Sequence, residues 1–151
     1  MDNDLVTLWE TPSAEEVYMI AGWNQWADAG AISSGLPLYL IHKLDARKIG
    51  EIQDDGFYLF QLPGAHHFLR PEIQLKDGYR QSLKRPQNEF YYVEHEDKGL
   101  VIFLGEEPHM RADQYADALL SGIKALGVKR VGAVGGVYGA MPYDRDREIS
   151  C

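Results

Sequence analysis

A chain of 151 residues with 45% apolar and 25% charged residues has the composition of one soluble globular domain. Its formal net charge of −8 argues against a nucleic-acid backbone or an anionic membrane as partner, and no apolar run approaches the roughly 18 residues of a membrane span. The acidic start MDNDLVTLWE lacks the layout of a signal peptide, and the single cysteine, Cys151, allows no internal disulfide; together these point to the cytoplasm.

Leu5 to Trp9 is a short β-prone run. After the turn at Thr11-Pro12-Ser13, the run Val17 to Ala21 suits a strand buried on both faces. Next comes a loop of unusual composition, Trp23-Asn24-Gln25-Trp26 followed by Ala27-Asp28-Ala29-Gly30. The helix after it has two possible starts. Asp28 as cap leaves Pro37 deep in the interior, whereas Ser34 as cap puts it in the first turn, where a missing N–H matters little. The later start, or a kink at Pro37, is therefore expected, with Leu36, Leu40, Ile41 and Leu44 as the buried stripe.

Ile49 to Phe60 contains a short strand, the turn Asp54-Asp55-Gly56 and the aromatic run Phe57 to Phe60. A loop holding His66-His67 and Arg70-Pro71 leads to alternating segments on either side of Asp77-Gly78, a hairpin signal. Phe90 to Val93 is β-rich, and the continuous apolar run Leu100 to Leu104 reads as a central strand. Apolar residues recur at helical spacing from about Met110 to Leu126, with Gly127 where a C-terminal cap belongs. Val131 to Val134 then closes a strand–helix–strand crossover. The expected fold is α/β: a mixed sheet with parallel strands near 17, 100 and 131, an antiparallel hairpin near 72 to 93, and helices as covering layers.

Ligands and partners of open α/β sheets dock at loops leaving the carboxyl ends of strands, which directs attention to the tryptophan loop. Trp23 and Trp26 either present an aromatic surface to a partner or flat ligand, or pack under the sheet edge and hold the loop still. Asp28 either orients a ligand or caps the following helix. Gly30, Ser33, Ser34 and Gly35 would let an anion approach a helix N-terminus, but no phosphate-binding glycine motif or following lysine is present. Arg70 is either a carboxylate or phosphate ligand or a solvated charge. Glu106 and Glu107, at a strand end, are either an acid/base pair or, for Glu107 before Pro108, a helix-start acid. Gly135 and Gly136 allow close approach of a ligand or another subunit. His66-His67 has no acid or cysteine at ligand spacing, so no metal or other cofactor is expected. No nucleophile stands beside a placed base, so no catalytic residue is assigned.

The segment Gly22-Trp23-Asn24 followed by Asp28-Ala29-Gly30 resembles the signature loop of the proteasome assembly chaperone 2 family. The likeness extends in order through Phe57 to Phe60, Arg70-Pro71, Pro86-Gln87-Asn88-Glu89-Phe90-Tyr91-Tyr92, Leu104 to His109, and Gly127 to Val131 with Gly135-Gly136. This resemblance implies a three-layer α/β/α domain with a mixed, largely parallel sheet, similar to the phosphorylase/hydrolase-like fold. It implies a protein that works through contacts with itself, as a homo-oligomer, or with proteasome-type subunits. The alternative is a small-molecule-binding or phosphorylase/hydrolase-like enzyme in which Asp28, Arg70 and Glu106 share one pocket. Family members usually continue past the equivalent of Gly136, so residues 1–151 are expected to form a single α/β domain that is the N-terminal part of a longer one. The chain ends Ile149-Ser150-Cys151, unlike the hydrophobic-Tyr-any tail of some proteasome-binding relatives, so docking through such a tail is not expected.

Overall fold

A computed structural model of the chain describes residues 4–60, 72–84, 86–139 and 144–146. Among the described residues, six strands form one sheet: β1 (Val6–Leu8), β2 (Glu16–Asn24), β3 (Arg47–Ile52), β6 (Glu89–His95), β7 (Lys98–Glu106) and β8 (Val128–Ala133). Their spatial order is β1-β3-β6-β7-β2-β8. β2 lies between two parallel neighbours, paired with β7 from Glu16↔Lys98 to Asn24↔Glu106 and with β8 from Val17↔Val128 to Ala21↔Ala133. β6, β3 and β1 then add antiparallel. As a result β2, β3, β7 and β8 point one way, and β1 and β6 the other.

One helix covers each face. Val17, Met19 and Ala21 share a face with Phe90, Tyr92, Val101 and Phe103, all buried, and Tyr115, Ala118 and Leu126 pack on them from the side of α2 (Ala112–Ala125). Phe90 and Phe103 sit in register with ring centroids 4.9 Å apart, and α2 reaches Phe90 where Gly122 carries no side chain. On the opposite face α1 (Ile32–Lys43) crosses β2 at Gly22. Val17, Met19 and Ala21 are wholly buried, whereas Tyr18 and Ile20, on the α1 side, stay partly exposed. β2 is therefore not buried on both faces as its apolar run suggests.

α1 departs from expectation in two respects. It begins at Ile32 and carries Pro37 inside it, and its buried positions are Ser33, Pro37 and Ile41 in place of the leucines. The close approach to β2 explains both. Pro37 has no N–H to offer the Ser33 carbonyl, and that carbonyl lies against Gly22. Only a narrow, small-residue side of the helix fits there, so the larger Leu38 and Tyr39 turn outward.

The Asp77-Gly78 hairpin forms as read, with both residues at positive φ, the geometry of a two-residue turn matched to strand twist. Its strands β4 (Glu72–Lys76) and β5 (Tyr79–Lys84) make a separate ribbon, however, and β6 joins the main sheet without them. Gly127 has φ 67° and donates its N–H to the Lys124 carbonyl, so the expected helix cap is present. β8 begins at Val128, earlier than its apolar run suggests, and most of its residues are exposed.

Candidate functional site

The carboxyl ends of β2 and β7 and the amino end of antiparallel β6 meet at one edge of the sheet. There the tryptophan loop turns its own polar groups inward. One Asp28 carboxylate oxygen accepts the N–H groups of Ser33 (2.7 Å) and Ser34 (3.0 Å), and the other accepts the Ser34 hydroxyl (2.6 Å). Burial raises the Asp28 carboxyl, but these three bonds outweigh it and hold the group below its ordinary value. An aspartate thus fills the N-terminus of α1, the place where sequence reading allowed an anion. The buried Ser33 hydroxyl accepts the Trp23 backbone N–H and the Gln25 side-chain amide, each at 3.0 Å, tying the end of β2 to α1.

Gly135 and Gly136 approach this same loop. Gly136 donates to the Ala27 carbonyl and its carbonyl accepts from Ala29, forming a parallel bridge with Asp28. A Cβ on Gly136 would lie 2.9 Å from the Ala29 oxygen. The close backbone approach that these glycines permit is made by the chain itself.

The two tryptophans separate. Trp23, still on β2, packs on Phe103 at 5.6 Å and donates its indole N–H to the Tyr115 hydroxyl at 3.0 Å. Trp26, three residues on, is 85% exposed, while its backbone N–H is held by a Glu107 carboxylate oxygen at 2.9 Å. Glu107 thus braces the tryptophan loop and does not start a helix: α2 begins at Ala112, after Arg111 at φ 54°, with Asp113 as its first-turn acid.

Beneath Trp23 runs a network that sequence reading missed. The Tyr115 hydroxyl donates to Asn88 Oδ1 (2.8 Å), which also accepts the Glu106 N–H (3.1 Å). Asn88 Nδ2 donates to the Tyr58 hydroxyl (2.7 Å), which donates onward to the Glu106 carbonyl (3.1 Å). Asn88 is almost wholly buried, so its amide is satisfied by protein alone. Burial pushes the Tyr58 phenol up to about 12, and raises that of Tyr115 as well, so both act as neutral hydrogen-bonding groups at neutral pH. The polar run Gln87-Asn88-Glu89 leading directly into the aromatic part of β6 was the available signal.

In front of this network opens a cleft of about 330 Å³ lined by Asn24, Gln25, Tyr58, Phe60, Pro86, Glu106, Glu107 and His109. His109 Nδ1 accepts the Leu59 N–H at 3.1 Å, and its ring meets Tyr58 edge-on at 5.7 Å. Of the candidates read from the sequence, Asn24, Glu106 and Glu107 line the cleft together, Asn24 and Glu106 being direct partners across β2 and β7. Trp26 is joined to it through Glu107; Asp28 is not among the lining residues. Arg70, with His66-His67, lies outside the described residues, so the expected convergence of Asp28, Arg70 and Glu106 rests on a residue without a place here. Among the described residues, no three His, Cys, Asp or Glu side chains are grouped to hold a metal ion, and no helix is long and apolar enough to cross a membrane.

These features define an α/β/α domain whose strand-end loops are braced against one another and whose exposed indole is fixed at its backbone. The model of the PAC2 family matches residues 22–150, and the chain belongs to that family. Its fold is similar to the proteasome-assembly chaperone homologue of Mycobacterium tuberculosis, at 28% identity and a TM-score of 0.74 over 85% of this chain and 52% of that one. A PAC2 family protein from Streptomyces avermitilis aligns at 26% identity and a TM-score of 0.72, over 86% of this chain and 54% of that one. A Mycobacterium tuberculosis protein of unknown function shares the fold, at 18% identity and a TM-score of 0.73 over 93% and 50% of the two chains. The chain spans about half the length of these solved relatives. A search of the curated proteins finds no match.

Proposed function

We propose that this chain is a non-catalytic protein-contact domain that works through a second copy of itself or through another polypeptide, as a proteasome-assembly chaperone does. The observation that carries this reading is α1. A helix with one apolar side belongs on the surface of a domain, whereas one apolar all round belongs under a covering layer. α1 buries Ser33, Pro37 and Ile41 against the sheet, yet its opposite side holds Tyr39, 60% exposed, with Leu38, 47% exposed, and Ile32 beside them. The family relationship and the similarity to a chaperone homologue support the same reading. The cytoplasm is the setting that goes with it.

Light scattering and capture by proteasome α-subunits test this. The expected result is a species larger than one chain, or capture of an α-subunit, that is lost in Leu38→Glu/Tyr39→Glu. A monomer that captures no α-subunit overturns the reading. Phosphorylase- or hydrolase-like chemistry in the cleft is the competing reading, and a thermal-shift screen with nucleosides, nucleotides and phosphate separates the two. Ligand at 100 times its dissociation constant would add about 2.7 kcal/mol.

A further inference from the structure

We propose that the β4–β5 hairpin is an arm that seats on α2 of a second copy of this chain. The chain leaves the strand-end cleft at Phe60 and returns to it at Pro86, so the hairpin is rooted on that face. It forms a ribbon of its own, and residues 73–82 are exposed throughout. A two-stranded ribbon in water is marginally stable, so this element gains from being covered. Its two sides differ. Ile73 stands opposite Leu83 and Leu75 opposite Arg80, and the register shift between Gln74 and Leu75 keeps all four on one side. Gln74, Lys76, Tyr79 and Ser82 take the other. The first side is therefore apolar with one cation, and Leu75 on it is 67% exposed.

α2 offers the matching surface. Tyr115, Ala118 and Gly122 face the core, and beside them Ala116, Leu119, Leu120 and Ile123 make a second apolar stripe at helical spacing. Leu119 and Ile123 are only partly buried, and Leu120 is 62% exposed. Asp113 and Asp117, both exposed, border this stripe four residues apart, where like charges on a helix repel. A cation between them relieves that repulsion, and Arg80 is the charge on the apolar side of the arm. Among the described residues none of these three is in an ion pair. Charge also favours this chain as its own partner. Residues 72–84 hold Lys76, Arg80 and Lys84 against Glu72 and Asp77, net +1, so the rest of a chain of −8 is net −9. Within one chain the arm and the stripe stay apart, each in water; in a two-fold pair each chain gives an arm and receives one, so both are covered. This inference rests on the protein-contact reading above and names a second copy as the partner.

Light scattering of the full chain over a dilution series reads the dissociation constant, and circular dichroism melts check that each variant is folded. Arg80→Glu and Asp117→Arg are each expected to raise the dissociation constant about tenfold or more, because each sets like charges across the contact. Both together in one chain restore an opposite pair, and association is expected to return to within about threefold of the parent. Leu75→Ser tests the apolar half and is expected to weaken association even in about 0.5 M salt, where the charges are screened. All three sites are exposed, so the melts should not move. Single variants that associate like the parent, or a double variant no tighter than the singles, overturn the arm. A parent chain that stays monomeric overturns it as well. If that monomer captures a proteasome α-subunit, the protein-contact reading stands without the arm; if it captures none, both fall.

Discussion

Gly22→Ala is the most informative single substitution in the fold, because it tests the contact that sets the position of α1. A Cβ at residue 22 would stand 1.9 Å from the Ser33 carbonyl oxygen and 2.7 Å from Pro37 Cγ. Comfortable contact needs about 3.5 Å, so the start of α1 would have to retreat by roughly 1.5 Å. The Ser33 hydroxyl, now 3.0 Å from both the Trp23 N–H and the Gln25 amide, would then lose both bonds. Overpacking costs about 1–3 kcal/mol, and an orphaned buried N–H about as much again. A total of roughly 3–5 kcal/mol lowers the melting temperature of a domain this size by about 10 °C or more. Gly35→Ala is the matched control: its Cβ would meet nothing closer than Ala31 Cβ at 3.9 Å, and alanine in a helix interior is worth about 0.5–1 kcal/mol over glycine. Thermal unfolding followed by circular dichroism measures both. If Gly22→Ala melts within 2–3 °C of the parent chain, the small-residue contact does not position α1.

The two tryptophans are expected to respond oppositely. Trp23→Ala empties the space on Phe103 and removes the indole N–H that the Tyr115 hydroxyl accepts, costing about 3–5 kcal/mol in urea unfolding, while Trp26→Ala changes stability by less than about 0.5 kcal/mol. Asp28 contributes stability that is present above its unfolded-state value near 4 and fades as pH falls through its lower folded-state value. The stability gap between the parent chain and Asp28→Asn, measured by urea unfolding, is therefore expected to close on acidification below about pH 4. Tyr58 and Tyr92 have phenols raised to about 12, so their contribution is full below pH 10 and lost as pH climbs towards 12. Absorbance at the phenolate band should show both ionising well above the ordinary phenol value, and a transition near 10 for Tyr58 would mean that its hydroxyl is not buried.

Where the sequence was legible, local chemistry and tertiary packing agreed. Val17 to Ala21 and Leu100 to Leu104 are apolar because they are central parallel neighbours. Asp77-Gly78 turns because its positive φ angles suit the hairpin, and Gly127 caps because it adopts a left-handed conformation. The hydrophobic pattern of α1 misled for a physical reason. Its buried side is chosen by how closely a backbone can approach Gly22, a property of two distant segments, so the leucines yield to serine and proline. The tryptophan loop was legible as unusual, but the division between Trp23 and Trp26 depends on β2 ending at Asn24, a boundary no composition marks. The pairing of Asn88 with Tyr115 was not legible because a buried network joins ordinary residues 27 positions apart.

The exposed side of α1 also limits what kind of assembly can form. Leu38 and Tyr39 are already about half covered, so burying the rest of each regains roughly 1–1.5 kcal/mol. Four such side chains in a two-fold contact give about 4–6 kcal/mol, which is at or below the cost of bringing two chains together. A dimer through α1 alone would therefore dissociate at ordinary protein concentrations. A stable one must also enlist the strand-end face, where Trp26 and Tyr138 are 85% and 90% exposed and each ring can bury on the order of 150–250 Å². Dilution followed by light scattering separates the cases. If α1 and the strand-end face act together, Trp26→Ala should raise the dissociation constant tenfold or more while stability stays unchanged. A tight dimer that tolerates both Trp26→Ala and Leu38→Glu would place the interface elsewhere, and the exposed β8 edge would be the next surface to test.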